Sequence, residues 1–186
     1  MIIQGNDPTT NPSFTLRNRV ARGVWSIVWL LLFRPSLRPM HAWRRMLLRL
    51  FGAHLGKHVH IYSNVRIWAP WQLRIGNNVG IGNGVTLYNM AAINIGDYCV
   101  VSQGAHLCAG SHDIDSPNFQ LIARAINLDN HVWVCADAFI GLGVTIAEGC
   151  VVGACAVVVR SIQQPWTVWA GNPAHLKRTR QKNSKP

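Results

Sequence analysis

"LYNMAAINIGDYCVVSQGAHLCAGSHD", residues 87–113, returns an aliphatic residue on a six-residue beat: Ile95, Val101 and Leu107, with Leu87 preceding Ile95 by eight. Followed in both directions, the beat gives Leu55, Ile61, Ile67; Ile75, Ile81, Leu87; Ile95, Val101, Leu107; Leu128, Val134, Ile140; and Ile146, Val152, Val158. Four places after a beat the residue is small or β-branched, as at Val59, Val79, Ala91, Cys99, Ala105, Ser111, Ala138 and Cys150; Trp71 is the one large exception. Glycine follows the beat at Gly56, Gly76, Gly82, Gly96, Gly141 and Gly153. A helix repeats every 3.6 residues and a half-buried strand every two, so neither explains six. A hexapeptide repeat does, each unit being one short strand and a bend, with three units to a coil of a parallel β-helix. The reading is an all-β solenoid of about five coils. Its aliphatic beat faces inward and its small residue fits beneath the turn.

The beat breaks at three places. The steps from Ile67 to Ile75 and from Leu87 to Ile95 are eight residues, and that from Leu107 to Leu128 is twenty-one. All three follow the third strand of a coil, so one corner carries every insertion, the largest an excursion at 113–127. Insertions on one face of a repeat protein often mark the binding face. Domain limits follow: an arm and helical segment over 1–54, the solenoid over 55–165, and a basic tail over 166–186.

Composition narrows the class. Hydrophobic residues make up 49% and charged ones 13%, which excludes a disordered chain. The net charge is +11, and no acidic residue lies between Asp7 and Asp97, a stretch holding eleven Arg and Lys. A field of one sign suits a phosphorylated cofactor or an anionic membrane surface. Nucleic acid ranks last, because no recognition helix, zinc finger or RNA-binding motif accompanies the charge. Five cysteines without a CxxC pair indicate a reducing compartment, with Cys99 and Cys150 at the small interior position and inert. The longest apolar run, "VWSIVWLLLF" at 24–33, is too short to span a bilayer, which takes about 20 residues. A cytoplasmic protein, with or without contact to the inner membrane face, is the expectation.

Two helices are expected before the solenoid, in "VARGVWSIVWLLLF" and "MHAWRRMLLRLFGAHLG", separated by Pro35 and Pro39. They either cap the open strand edges of the first coil or lie in an anionic leaflet, and the two roles are compatible.

Among eight histidines, His112 alone stands at the insertion corner, read as the last residue of the third coil's third strand and at the root of the excursion. An imidazole at a loop mouth suits general-base work. Asn89 lies one coil below and is either a hydrogen-bonding partner for an acceptor hydroxyl or a turn-satisfying residue. Trp68, Tyr88 and Cys108 share one register position and should form an outward column, fit for a sugar face or a subunit interface. The basic C-terminal end, with Lys177, Arg178, Arg180 and Lys182 and with Arg160 on the last coil, is a solvated end or a phosphate clamp.

With the beat, "GSHD" and "AGNPA" in view, the chain resembles the hexapeptide-repeat acyltransferases with a left-handed β-helix, and in particular the colanic-acid and exopolysaccharide acetyltransferases. The stretches "PWQLRIGNNVGIGNGVTLYNMAAINIGDYCVVSQGAHLCAGSHD", "HVWVCADAFIGLGVTIAEGCVVGACAVV" and "PWTVWAGNPA" carry the resemblance, over about residues 17–180. It implies left-handed coils, a homotrimer, acetyl-CoA between neighbouring subunits and no metal. It gives His112 the role of catalytic base toward a carbohydrate acceptor, free or lipid-linked, with Asn89, Tyr88 and Trp68 on the acceptor side. Coenzyme contacts are implied at Trp133, Gly141, Ala154, Arg160, Pro173, Lys177 and Arg178. Two positions depart from the pattern: Gly80 where relatives carry Trp, and Leu142 where they carry Pro. The competing readings are a non-catalytic membrane-associated scaffold and a metal-dependent lyase of γ-carbonic-anhydrase type. The lyase would need His106, His112 and His131 as zinc ligands.

Overall fold

The computed structural model describes residues 2–5, 7, 8 and 10–181. Short strands stack into three parallel sheets, one per face of a left-handed prism. The first face holds β1 (His54–Leu55), β4 (Leu73–Ile75), β7 (Ile93–Ile95), β12 (Ile126–Leu128) and β15 (Thr145–Ile146). The second holds β2 (His60–Ile61), β5 (Gly80–Ile81), β8 (Val100–Val101), β13 (Trp133–Val134) and β16 (Val151–Val152). The third holds β3 (Arg66–Ile67), β6 (Thr86–Tyr88), β9 (His106–Cys108), β14 (Phe139–Ile140) and β17 (Val157–Val158). Each beat residue pairs in register with the beat of the next coil, as Ile61 with Ile81 and Ile81 with Val101. The corners are stapled as well: side-chain oxygens of Asn77, Asp97 and Asn130 accept the backbone N–H of Lys57, Asn77 and Asp97 in turn.

The beat residues fill the core, nearly all of them buried, and so do the small residues at the two regular corners. The insertion corner differs from expectation. Trp71 and Ala91 are half-buried and Ser111 is exposed, so the small position does not face inward there. An eight-residue step adds two residues. The interior is filled instead by Ala69, Asn89 and Ala109 two places after the beat, and by Leu73, Ile93 and Ile126 two places before the next. Strands β4, β7 and β12 therefore run in–out–in and supply two aliphatics each, as strand alternation requires.

Cys99 and Cys150 are wholly buried, as expected. Burial pushes the Cys99 thiol up to about 11, and the thiol lies 3.0 Å from the Asp129 carbonyl. Thiolate is the reactive form. Iodoacetamide on the folded protein at pH 7.5 should label exposed Cys155 and spare Cys99 and Cys150 until denaturant is added. Mass mapping that finds Cys99 modified in the native state would refute this packing.

Strand N–H groups donate toward the next coil, as His60 N to Val79 O at 2.8 Å, so the carbonyls of the first coil have no strand beneath them. The N-terminal segment supplies the donors. Helix α1 (Leu16–Val28) continues as a π-helical turn (Trp29–Phe33), and α2 (His41–Leu50) follows after the two prolines. Arg49 Nη2 donates to Leu55 O (2.9 Å), Arg45 Nη1 to Val59 O (3.0 Å) and Arg44 Nε to Ile61 O (2.6 Å). Trp29 Nε1 donates to Val65 O (2.8 Å) and Trp25 Nε1 to Ile67 O (2.7 Å). His41 Nδ1 also lies 2.9 Å from Ile61 O, so six side chains close the edge, and capping is the role of the inner surface of both helices.

At the other end the expected tail is partly structured. Strand β18 (Thr167–Ala170) runs parallel to β16, and β19 (His175–Thr179) returns antiparallel to it, extending the second face. With an isolated bridge from Ile162 to Ile146, these make an irregular sixth coil. Lys182 lies outside the described residues.

Candidate active site

The excursion is a β-hairpin. Strands β10 (Gly110–His112) and β11 (Leu121–Ala123) pair antiparallel, with His112 opposite Leu121. The chain leaves the prism at Gly110 and has rejoined it by Ile126, both earlier than expected, so His112 stands on the outgoing strand of the hairpin and not at the end of the third-face strand. Gly110 suits the exit because a Cβ there would collide with Met90 Sδ.

His112 is half-buried. Its ring stacks on that of Phe119 with centroids 4.5 Å apart and planes 14° from parallel. Nδ1 lies 2.9 Å from the Phe119 carbonyl oxygen. A carbonyl can only accept, so Nδ1 carries the proton and, in the neutral ring, Nε2 carries the lone pair. The orienting group is therefore a backbone carbonyl, and neither Asp113 nor Asp115 takes that place. Phe119 is held in the left-handed region (φ 48°), and its N–H donates to Ser116 O at 2.9 Å. Next to it, Gln120 Oε1 accepts the Gly5 N–H at 2.7 Å, while its Nε2 donates to Leu121 O at 3.1 Å. The N-terminal arm thereby straps the hairpin tip.

The expected aromatic column exists on the third face. Trp68 and Tyr88 meet edge to face at 6.0 Å. The arm and α1 cover one side of it: Phe14 of the arm lies 5.1 Å from Trp68, and the guanidinium of Arg22 on α1 stands 4.3 Å above the Trp68 ring. Between α1 and the third face runs a groove of about 570 Å³, lined by Arg22, Trp25, Leu30, Arg66, Trp68 and Tyr88. Desolvation raises the Tyr88 phenol above its ordinary value, helped by Cys108 and opposed by Arg22. A larger hollow of about 1010 Å³ lies along the first face, but its polar row is satisfied internally, Asn94 with Asn127 and Asn127 with Thr145.

Asn89 does not join the column. It is wholly buried, its Nδ2 donates to Ala69 O (2.6 Å), and its Oδ1 accepts the Ala69 N–H (3.0 Å). Both halves of the amide are spent on the coil below, so the turn-satisfying reading holds and a sugar cannot reach it here. Arg22, Phe14, Phe119 and Gln120 escaped the sequence reading, because no spacing rule ties the arm or the hairpin tip to the corner.

The residues implied for the coenzyme fall on two faces. Trp133 is outward on the second face, its Nε1 donating to Ser102 Oγ at 2.9 Å, and Lys177 and Arg178 are exposed on β19, which extends that face. Gly141 and Arg160 follow third-face strands; Ala154 and Pro173 sit in exposed turns. Gly80 leaves an outward opening on β5, where a Cβ would meet nothing within 4 Å. Leu142 is half-buried in the turn after β14.

Within one chain the three histidines named for a zinc site do not converge, and a site built from them would need neighbouring subunits. His106 meets Phe139, His131 stacks on Tyr98, and His112 stacks on Phe119. Among the described residues no three His, Cys, Asp or Glu side chains group closely enough to hold a metal ion. His106 Nε2 is buried without a hydrogen-bond partner, and burial lowers its pKa. The sign follows: protonation is easier in the unfolded chain, so stability is full above the ordinary histidine value of about 6.5 and falls as pH drops below it. Melting temperatures measured from pH 7.5 to 5.5 should decline, and His106→Leu should flatten the decline. Parallel profiles for the two proteins would reject this.

No family model matches the chain. A relative from Escherichia coli K12, WcaF, named as a colanic acid biosynthesis acetyltransferase, is 40% identical over 163 residues, covering 88% of this chain and 89% of its own. A hexapeptide-repeat acetyltransferase of Vibrio cholerae, solved with acetyl coenzyme A, superposes with a TM-score of 0.81 at 26% identity, covering 90% of this chain and 91% of its own. A maltose O-acetyltransferase of Clostridium difficile 630 superposes at 0.82 over 90% of each chain, and its 23% identity speaks for the fold alone. The repeat, the prism it builds and the relative that matches it nearly end to end agree: the chain belongs to the hexapeptide-repeat acyltransferases with a left-handed β-helix and is an acetyltransferase.

Proposed function

We propose that the protein moves the acetyl group of acetyl-CoA to a hydroxyl of a polysaccharide sugar or its lipid-linked precursor, with His112 as general base. The observation that carries this is the Nδ1 contact to the Phe119 carbonyl, which leaves Nε2 as the basic nitrogen at the mouth of the excursion. Nε2 takes the proton of the hydroxyl as its oxygen attacks the thioester carbonyl. The tetrahedral intermediate collapses, the C–S bond breaks, and the imidazolium returns the proton to the departing thiolate. The products are the acetyl ester and free CoA, with no acyl-enzyme. General-base help of this kind supplies about 10²–10⁴-fold.

The Trp68 and Tyr88 rings, with Arg22 above Trp68, give a sugar an apolar platform beside a cation. Arg160, Lys177 and Arg178 offer charge to the coenzyme's phosphates, and Trp133 an exposed aromatic surface. Since these residues occupy two faces of one prism, a coenzyme touching all of them would lie in a cleft between protomers. That favours a homotrimer. A cytoplasmic location would supply the acetyl-CoA.

Calorimetric titration with acetyl-CoA tests the reading without knowledge of the acceptor. Saturable binding near one equivalent per chain is expected, and Arg160→Ala should weaken it about tenfold, as loss of a charged hydrogen bond does. A folded protein that takes up no acetyl-CoA at millimolar concentration would sink the proposal.

A further inference from the structure

We infer that the outer surface of α1 and its π-helical extension is a docking surface for an anionic lipid bilayer. The helix is apolar on both sides. Its inner side is used up by the cap, where Trp25 and Phe33 are buried and the two indoles hold first-coil carbonyls. Opposite them Leu16, Val20, Val24, Ile27 and Leu31 follow at steps of four, four, three and four, one continuous stripe of a helix. All five are open to solvent, from 48% for Val24 to 71% for Leu16, and Leu30 beside them is 54% exposed. A row of large apolar side chains of this length has no structural role in the chain that bears it, and exposed patches of this kind mark contact surfaces.

Charge selects the occupant. Arg17 and Arg19 stand among the stripe residues, Arg34 and Arg38 follow its end, and all four are exposed. No acidic residue occurs from 8 to 96, which takes in both helices, the first coil and the second. A symmetric pairing of the stripe with that of a second copy of this chain would set these arginines against themselves. A bilayer with anionic headgroups answers both features: acyl chains take the leucines, valines and isoleucine, and phosphates take the guanidinium groups. The helix would lie flat, since its inner side is pinned to the solenoid and no helix among the described residues is long and apolar enough to cross a membrane.

Geometry gives the surface a use. Leu30 of this surface also lines the 570 Å³ groove that reaches Trp68 and Tyr88. The coil that leads into the His112 hairpin is the third, about 10 Å above the first at the usual strand spacing. A lipid-linked acceptor lying in the same bilayer would therefore meet the groove from its membrane side.

Vesicle co-sedimentation of the full chain tests the surface and needs neither acetyl-CoA nor an acceptor, so its result is separate from the acetyl-transfer reading. At low salt, vesicles of phosphatidylcholine with about one part in three phosphatidylglycerol should retain at least tenfold more protein than phosphatidylcholine alone. Ile27→Asp/Leu31→Asp should abolish that excess while keeping the wild-type melting temperature and molar mass, both positions being solvent-exposed. Three outcomes overturn the inference: no binding of wild type to anionic vesicles, undiminished binding of the double variant, or a smaller assembly for the double variant. The last would mean that the stripe faces another copy of the chain.

Discussion

His112→Ala should lower kcat for acetyl transfer by about 10²–10⁴-fold while leaving the dissociation constant for acetyl-CoA within about twofold of wild type. The split follows from where the imidazole sits. It stands on the excursion hairpin, held by the ring and the carbonyl of Phe119. Its work belongs to the step in which the hydroxyl proton leaves. His112→Asn separates geometry from basicity: an amide can still donate to the Phe119 carbonyl, but it presents no basic nitrogen, so it should be as slow as the alanine variant. Release of CoA thiol under saturating acetyl-CoA and acceptor reads the rate, and calorimetry reads the binding. If either variant turned over within threefold of wild type, proton removal by His112 would be wrong. Equal losses in acetyl-CoA affinity and rate would point to a positioning role.

The parts legible in sequence are those that repeat. Six residues pose the same steric problem coil after coil, so Ile61, Ile81 and Val101 announce one another, and Cys99 is readable as core by its place in the series. The corner that breaks the repeat loses that redundancy. An eight-residue step says that two residues were added but not which turn inward, so the sequence leaves Asn89 between an acceptor-side residue and a turn-satisfying one, and only the structure shows its amide matched to Ala69 inside the prism. Strand β19 was hidden for another reason: all five of its residues are exposed, and backbone pairing with β18 leaves no apolar alternation to find. The excursion and the "GSHD" resemblance singled out His112 but set it at the end of the third-face strand, one step short of the hairpin that carries it. Its orienting carbonyl was not legible, because that depends on a left-handed Phe119 seven residues away. The arginine donors of the cap were hidden by their charge. Arginines on a helix usually mark its wet side, and here Arg44 is wholly buried.

Arg44→Met should cost about 3 kcal/mol or more of stability, a fall in melting temperature of about 6–12 °C for a chain of this size. The guanidinium is wholly buried and ties three segments together: Nε to Ile61 O at 2.6 Å, Nη1 to Ser36 Oγ at 2.8 Å and Leu37 O at 2.9 Å, and Nη2 to Arg38 O at 2.7 Å. Methionine replaces the stem and fills part of the space but donates nothing, so four hydrogen bonds are lost, although Ile61 O keeps His41 Nδ1 at 2.9 Å and Leu37 O keeps the Met40 N–H at 3.0 Å. Each bond lost costs about 1 kcal/mol, while the desolvation of the charge, which lowers the Arg44 pKa, is recovered when the charge is removed. The opposing terms leave a net loss of about 3 kcal/mol. Arg45 supplies the comparison. It is half-buried and makes one such bond, to Val59 O at 3.0 Å, so Arg45→Met should cost about 1 kcal/mol. Arg44→Lys should fall nearer to Arg44→Met than to wild type, because one ammonium cannot span four acceptors. Thermal melts of all three variants at one protein concentration decide the matter, since assembly shifts the melting temperature of every protein that has it. If Arg44→Met and Arg45→Met melted together, the cap would rest on apolar packing of Trp25, Phe33, Leu47 and Leu48 and not on its hydrogen bonds.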